Sequence, residues 1–148
     1  MKYIIMFFIM FYIHLIDDFH LQGFLGDLKQ KSWWKKNYPD KLYEHDWVFA
    51  LFEHSFSWSF TTHIPLLIIS LYSYYANGYF DALWVYVLCI VFNTVAHMII
   101  DNSKANKLEI SLSTDQMFHI AQIVFSLSMY SFLAVSYTHL TLPTRDFV

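Results

Sequence analysis

Between Tyr3 and Ile13 this chain carries no charge, and three further stretches are nearly as apolar. A helix that crosses the hydrocarbon core of a bilayer, roughly 30 Å thick, needs about 20 residues, with a lower limit near 17. Four segments meet that requirement: Lys2 to about Gln22, Trp47 to about Ala76, Phe80 to Ile100, and Asp115 to Ala134. The second contains Pro65, which removes a backbone donor and clashes with the preceding turn, so a kink is expected there. Charged residues make up only 14% of the chain, against about a quarter in soluble domains. The expected fold is therefore all-α: a polytopic membrane protein built as a four-helix transmembrane bundle, in a single domain over residues 1–134. No small-residue cleavage site follows the first segment, so it is expected to be a retained helix rather than a signal peptide. A net charge of −3 gives no reason to expect nucleic acid; the expected partner is the lipid bilayer. The lone Cys89 excludes a disulfide framework and reads as a small buried hydrophobe.

Residues 135–148, VSYTHLTLPTRDFV, break the pattern. VSYTHLTLPT resembles a translation of the transposon end and adapter used to prepare sequencing libraries, and an arginine codon continuing that adapter accounts for Arg145. The stretch is expected to be translated adapter, with the natural C-terminus missing, and His139 is not a site candidate.

Lysines set the expected orientation, because cytoplasmic loops are enriched in them. The first loop holds Lys29, Lys31, Lys35, Lys36 and Lys41, and the third holds Lys104 and Lys107; the second, YYANGYF, holds none. Loops one and three are expected in the cytoplasm and both termini outside. The first loop is either a solvated lysine-rich segment or carries a short interfacial helix with Trp33 and Trp34 at the headgroups.

Polar residues in the spans recur at helical spacing, which places them on single faces. His14, Asp18 and Gln22 form one stripe, Asn93, His97 and Asp101 a second, and Asp115, His119 and Gln122 a third. His54 lies about two turns into the second segment, with Ser57 and Thr61 further along. The up-down topology brings all four groups to one end of the bundle. A charge at mid-bilayer costs roughly 2.5–3.5 kcal/mol, so such residues face the interior and find partners. Imidazole and carboxylate are good ligands for Zn²⁺ and related divalent metals, and helical bundles build metal sites from such inward groups. The candidate ligands are His14, Asp18, His97, Asp101, Asp115 and His119, with zinc the expected ion. His54, or a spare aspartate such as Asp18, is the candidate general base. His20, His45 and His63 fall off the stripes and are assigned to interfacial or loop positions. Glu53 points about 100° away from His54.

Three motifs carry a family resemblance. His-x-x-x-Asp-Phe-x-Leu-Gln is met at His14, Asp18, Phe19, Leu21 and Gln22. His-x-x-Ile-Asp-x-x-Lys is met at His97, Ile100, Asp101 and Lys104, and Asp-Gln-x-x-His at Asp115, Gln116 and His119. In this order, over roughly Phe11 to Phe125, they resemble a family of small bacterial and phage membrane proteins of unknown function (domain of unknown function three-three-zero-seven). A looser similarity, in architecture and His/Asp content, links the chain to membrane-bound metal-dependent hydrolases. The resemblance implies a multi-pass protein of a bacterial inner membrane, and Asp17 is an addition to the pattern.

Two function classes follow. The first is a metal-dependent membrane hydrolase, in which the ion makes a bound water nucleophilic near neutral pH; no serine or cysteine motif suggests a covalent nucleophile. The second is a non-enzymatic membrane protein, either with a structural polar network or conducting protons or metal ions. The apolar outer halves of the first and third segments, KYIIMFFIMFY and FDALWVYVLCIVF, weigh against conduction.

Overall fold

The computed structural model describes residues 1–78 and 80–140, with side chains described to residue 133 except that of Asn77. All regular structure among the described residues is helical. Helix α1 (Lys2–Ile16) runs on into a π-helical turn, Asp17–Leu21. Short helices α2 (Leu25–Leu28) and α3 (Lys31–Asn37) and a 3₁₀ turn (Lys41–Tyr43) make up the first loop. Then come α4 (Asp46–Thr62), α5 (Ile64–Asn77), α6 (Asp81–Ala105) and α7 (Leu112–Leu140). The α7 backbone stays helical to Leu140. Otherwise the adapter-like stretch from Val135 falls outside the described residues and side chains.

Helix α6 is the central element, packed against α4, α5 and α7, while α1 lies across α4, α5 and α7. Among the described residues, two helical stretches, Lys2–Leu21 and Asp81–Ala105, are long and apolar enough to cross a membrane. The other two expected spans do not meet that test on length and composition. The second segment is broken rather than kinked: α4 stops at Thr62, His63 adopts a non-helical conformation, and α5 restarts with Pro65 in its first turn. A proline is tolerated in the first turn, where its missing N–H costs no helical bond. Gly78 ends α5 in the left-handed conformation, φ 73°, which a residue without Cβ adopts at little cost. Helix α7 has the length, but it carries Asp115, Gln116, His119, Gln122, Ser126 and Ser128.

The interior is divided lengthwise. One half is an apolar core of Met6, Met10, Trp58, Leu66, Val85, Tyr86, Cys89, Ile90, Ile123, Leu127 and Tyr130. The other half is polar, holding His14, Asp17, Asp18, Lys29, His54, His97, Asp101, Asp115 and His119, all buried. The outside carries the opposite pattern. Ile5, Phe8 and Tyr12 on α1, Phe49, Phe52, Phe56 and Phe60 on α4, and Leu88, Val91, Phe92, Val95 and Ile99 on α6 are exposed. A water-soluble fold rarely exposes contiguous apolar surface of this kind and rarely buries unpaired charge.

His63 departs from expectation. It is fully buried rather than interfacial. Its Nδ1 lies 2.7 Å from the Ser59 carbonyl and its Nε2 2.9 Å from Ser126 Oγ. The break ahead of Pro65 turns it inward, a rotation that regular helical spacing does not anticipate. Ser57 is exposed and Thr61 only half-buried; the inward face of α4 runs Leu51, His54, Ser55, Trp58, Ser59 and Thr62. His20, His45 and Glu53 are exposed. Replacing His63 by Leu is expected to destabilise the fold by about 0.5–1.5 kcal/mol, because it removes the imidazole that bridges Ser126 Oγ and the Ser59 carbonyl, while Ser126 keeps Asn93 and the Gln122 carbonyl. His20→Leu is expected to change stability by less than about 0.5 kcal/mol. Equilibrium unfolding followed by circular dichroism measures both.

Candidate metal centre

Each contributing helix delivers its ligands because four residues advance slightly more than one turn. His97 and Asp101 share the inner face of α6, Asp115 and His119 that of α7, and His14 and Asp18 the last turns of α1 and its π-helical extension. The π turn also decides which of the paired aspartates is inward. Widening the helix there buries both, at 5% exposure for Asp17 and 8% for Asp18, and such single-turn π segments recur at functional sites. Asp18 joins the cluster, while Asp17 lies beside Thr61 and His54 of α4.

Three overlapping groups place one ligand atom per residue within 4.8 Å of one another: Asp18, His54 and His97; His97, Asp101 and His119; Asp18, Asp115 and His119. These buried His/Asp groups can hold a metal ion. Five of the six ligands expected from sequence are in them, and so is His54. His14 is not. Its Nδ1 accepts from the Trp58 indole N–H at 2.8 Å, so its Nε2 carries the proton and donates to Gln116 Oε1 at 3.0 Å. Gln116 Nε2 then donates to Asp18 Oδ2 at 2.6 Å and Asp115 Oδ2 at 3.1 Å. Both nitrogens of His14 are engaged, and the ring positions two carboxylates through one amide.

The neighbouring network fixes the tautomer of His119. Gln122 Nε2 donates to the backbone and side-chain oxygens of Asn93 at 3.1 and 3.2 Å. Its Oε1 is therefore the atom that faces His119 Nδ1, 3.1 Å away, and Nδ1 must carry the hydrogen. A metal-binding histidine commonly donates its second N–H in this way. The Nε2 lone pair of His119 then points at Asp101 Oδ1 and Asp115 Oδ1, each 3.4 Å away. None of these three buried atoms has a hydrogen-bond partner among the described residues. A lone pair facing two carboxylate oxygens requires a cation between them, either a proton or a metal ion. A charge-assisted hydrogen bond would close to about 2.7–2.9 Å. Ligands on a tetrahedral zinc stand about 3.3 Å apart, given metal–ligand bonds of about 2.0–2.1 Å. The observed 3.4 Å leaves room for a metal ion between these three atoms.

The other side of Asp101 is already partnered. Its Oδ2 accepts from Lys29 Nζ at 2.5 Å and lies 3.1 Å from His54 Nε2 and 3.6 Å from His97 Nε2. Lys29 Nζ is also 3.1 Å from His54 Nε2, and the two imidazole Nε2 atoms are 3.1 Å apart. Lys29 is 5% exposed, a position that neither reading of the first loop anticipates, while Lys35, Lys36 and Lys41 stay exposed. The peptide that carries it is tied down. Asn106 Nδ2 donates to the Lys29 carbonyl at 3.1 Å, and Asn106 Oδ1 accepts from the Lys31 N–H at 2.7 Å. Lys104, also assigned to a loop, lies in the last turn of α6 and donates to Asp115 Oδ2 at 2.6 Å.

Trp58 supports the cluster from below. Its ring stacks on His97 at 4.4 Å between centroids, and His97 stacks on His119 at 4.1 Å. Sequence reasoning assigned no site role to Trp58, Lys29 or Gln116. Gln116 and Lys104 stand inside the quoted motifs, which was a usable signal. Nothing distinguished Lys29 from the other lysines of its loop, or Trp58 from the other aromatic residues. No protein-family model, curated protein or solved structure matches this chain. Trp58→Phe keeps most of the ring packing but orphans His14 Nδ1. The expected loss is about 1–3 kcal/mol of stability, measured by thermal or denaturant unfolding against the wild type.

Proposed function

We propose that this chain is a multi-pass membrane protein that holds a divalent metal ion, zinc by its ligand chemistry, and that it is a metal-dependent hydrolase. The observation that carries the metal is the trio of unpartnered buried atoms, His119 Nε2, Asp101 Oδ1 and Asp115 Oδ1. The membrane reading is supported by the inverted distribution of polarity, with carboxylates and imidazoles inside and Phe, Ile, Leu and Val outside. Ionisable groups in a membrane belong in the interior of a bundle. Helix α6, with 25 residues, extends ~37 Å at 1.5 Å per residue and is sufficient for the roughly 30 Å hydrocarbon core. In this reading α4 with α5, and α7, are the remaining spans. They tolerate their polar residues because those residues face protein. The lysines still exposed in the first loop, Lys35, Lys36 and Lys41, favour a cytoplasmic position for it in a bacterial inner membrane.

A bound divalent ion makes a coordinated water acidic enough to ionise near neutral pH. The protein's own part is to hold and move protons. His54 Nε2 lies 4.0 Å from Asp18 Oδ1; because that nitrogen faces Lys29 Nζ at 3.1 Å, Asp18 rather than His54 is the general base. Gln116 and Gln122 hold the carboxylates and His119 in register. The first loop screens the cluster, and a cavity of about 320 Å³ lined by Leu28, Trp34, Asp46, Phe49, Ala50 and Glu53 lies beside it. In this reading a substrate reaches the cluster from the cytoplasm or the inner leaflet. One observation favours a second reading. The polar chain continues from His119 through Gln122, Asn93 and Ser126 to His63, as a proton pathway would require. It extends further than the apolar outer halves of α1 and α6 suggest.

The purified protein, dialysed against excess zinc, is expected to retain it stoichiometrically by elemental analysis. His119→Ala and Asp115→Asn are expected to lose it. Turnover on a panel of phosphate esters, amides and lipid-linked substrates then tests hydrolysis. No retained metal, together with proton flux in proteoliposomes, would establish the second reading instead. For the membrane, Leu88→Lys, on the exposed face of α6, is expected to cost roughly 2.5–3.5 kcal/mol of insertion free energy. An insertion assay reads this directly.

A further inference from the structure

We propose that the Lys29 ammonium is the built-in second cation of a two-cation site and stands where another metal ion would otherwise sit. The inference rests on the metal reading above and concerns how that site is filled. The ligand atoms divide around one carboxylate. Asp101 Oδ1 faces His119, at 3.4 Å, while Asp101 Oδ2 faces His54 and His97, at 3.1 and 3.6 Å. A carboxylate whose two oxygens address different sets of imidazoles is the arrangement that bridges two cations, as in paired-metal hydrolytic sites. Asp18 and His97 also belong to both sets: Asp18 is grouped with His54 and His97 and with Asp115 and His119, and His97 also with Asp101 and His119.

The two sets differ in one respect. On the His119 side, His119 Nε2, Asp101 Oδ1 and Asp115 Oδ1 are without hydrogen-bond partners among the described residues. On the His54 side Lys29 Nζ contacts Asp101 Oδ2 and His54 Nε2. Its contacts are with the same atoms a metal would use. The lysine is not a loop side chain that has wandered in. Asn106 binds the peptide groups on both sides of Gln30, and the Trp34 indole N–H holds the Leu28 carbonyl at 2.6 Å. Charge points the same way. The buried carboxylates of Asp17, Asp18, Asp101 and Asp115 stand against the ammonium groups of Lys29 and Lys104, which pair with Asp101 and Asp115, leaving two negative charges with all four ionised. A single divalent ion roughly balances that site, whereas two ions beside both lysines would leave a large positive excess in a buried cluster. An ammonium is a poor metal ligand while it keeps its proton, so the chain holds one metal position open and closes the other.

The experiment is zinc stoichiometry on the full chain, purified, saturated with zinc and dialysed. The expected contents are one ion in the wild type, two in Lys29→Ala and one in Lys29→Arg. Lys29→Ala combined with His54→Gln is expected to return to one, since His54 belongs only to the second set. Two ions in the wild type, or one in both wild type and Lys29→Ala, would overturn the inference while leaving the metal reading intact. No ion in the wild type would overturn both. If Lys29→Ala does not fold, His54→Gln alone still decides. Retention of one ion supports the inference, and its loss would show that the metal occupies the position assigned to Lys29.

Discussion

Burying four carboxylates, Asp17, Asp18, Asp101 and Asp115, inside a bundle with an apolar exterior is the constraint from which the rest of the structure follows. An ionised carboxylate removed from water is stable only if it is paired and hydrogen-bonded. Asp18, Asp101 and Asp115 each receive such support, and the supporting groups come from the π turn after α1, the first loop, α6 and α7. Gln22 and Gln116 donate to Asp18, Lys29 to Asp101, and Lys104 with Gln116 to Asp115. These demands hold the first loop against the end of α6 and set α7 in register with α1. Of Asp18, Asp101 and Asp115, the last two each keep one buried oxygen free of hydrogen bonds among the described residues, and both free oxygens face His119.

The outer partners show how the site is kept in one state. His14 touches no candidate ion, yet it orients Gln116, which orients two carboxylates. Gln122 and Asn93 do the same for His119. These amides have fixed donor and acceptor ends, so one correct placement propagates to the next. The chain from His119 to His63 continues that logic beyond the cluster, where Ser126 joins α7 to the break between α4 and α5. A network of this kind must be fully satisfied to be stable, and its few unsatisfied atoms therefore carry information.

Much of this was legible because helical geometry is local. The pairs His97/Asp101 and Asp115/His119, four apart, had to share a face, and short connections had to return them to one end. The all-helical fold followed from the apolar runs and the scarcity of Gly and Pro. What was not legible depends on tertiary context. The inward turn of His63 follows from a helix break that Pro65 permits but does not place. The burial of Asp17 and Asp18 together needs a π turn, which no spacing rule predicts. Lys29 enters through a loop anchored by Asn106, far away in sequence. The removal of His14 from the ligand set depends on an indole N–H that the pattern of polar residues does not show.

The central claim is that a metal ion, rather than a proton, sits between His119 and the two carboxylates. X-ray absorption at the zinc edge tests it most directly. The expected spectrum has nitrogen and oxygen neighbours at about 2.0–2.2 Å, with an imidazole scattering signature that weakens in His119→Ala. A shell of oxygen alone, unchanged by that substitution, or the absence of bound zinc, would contradict it.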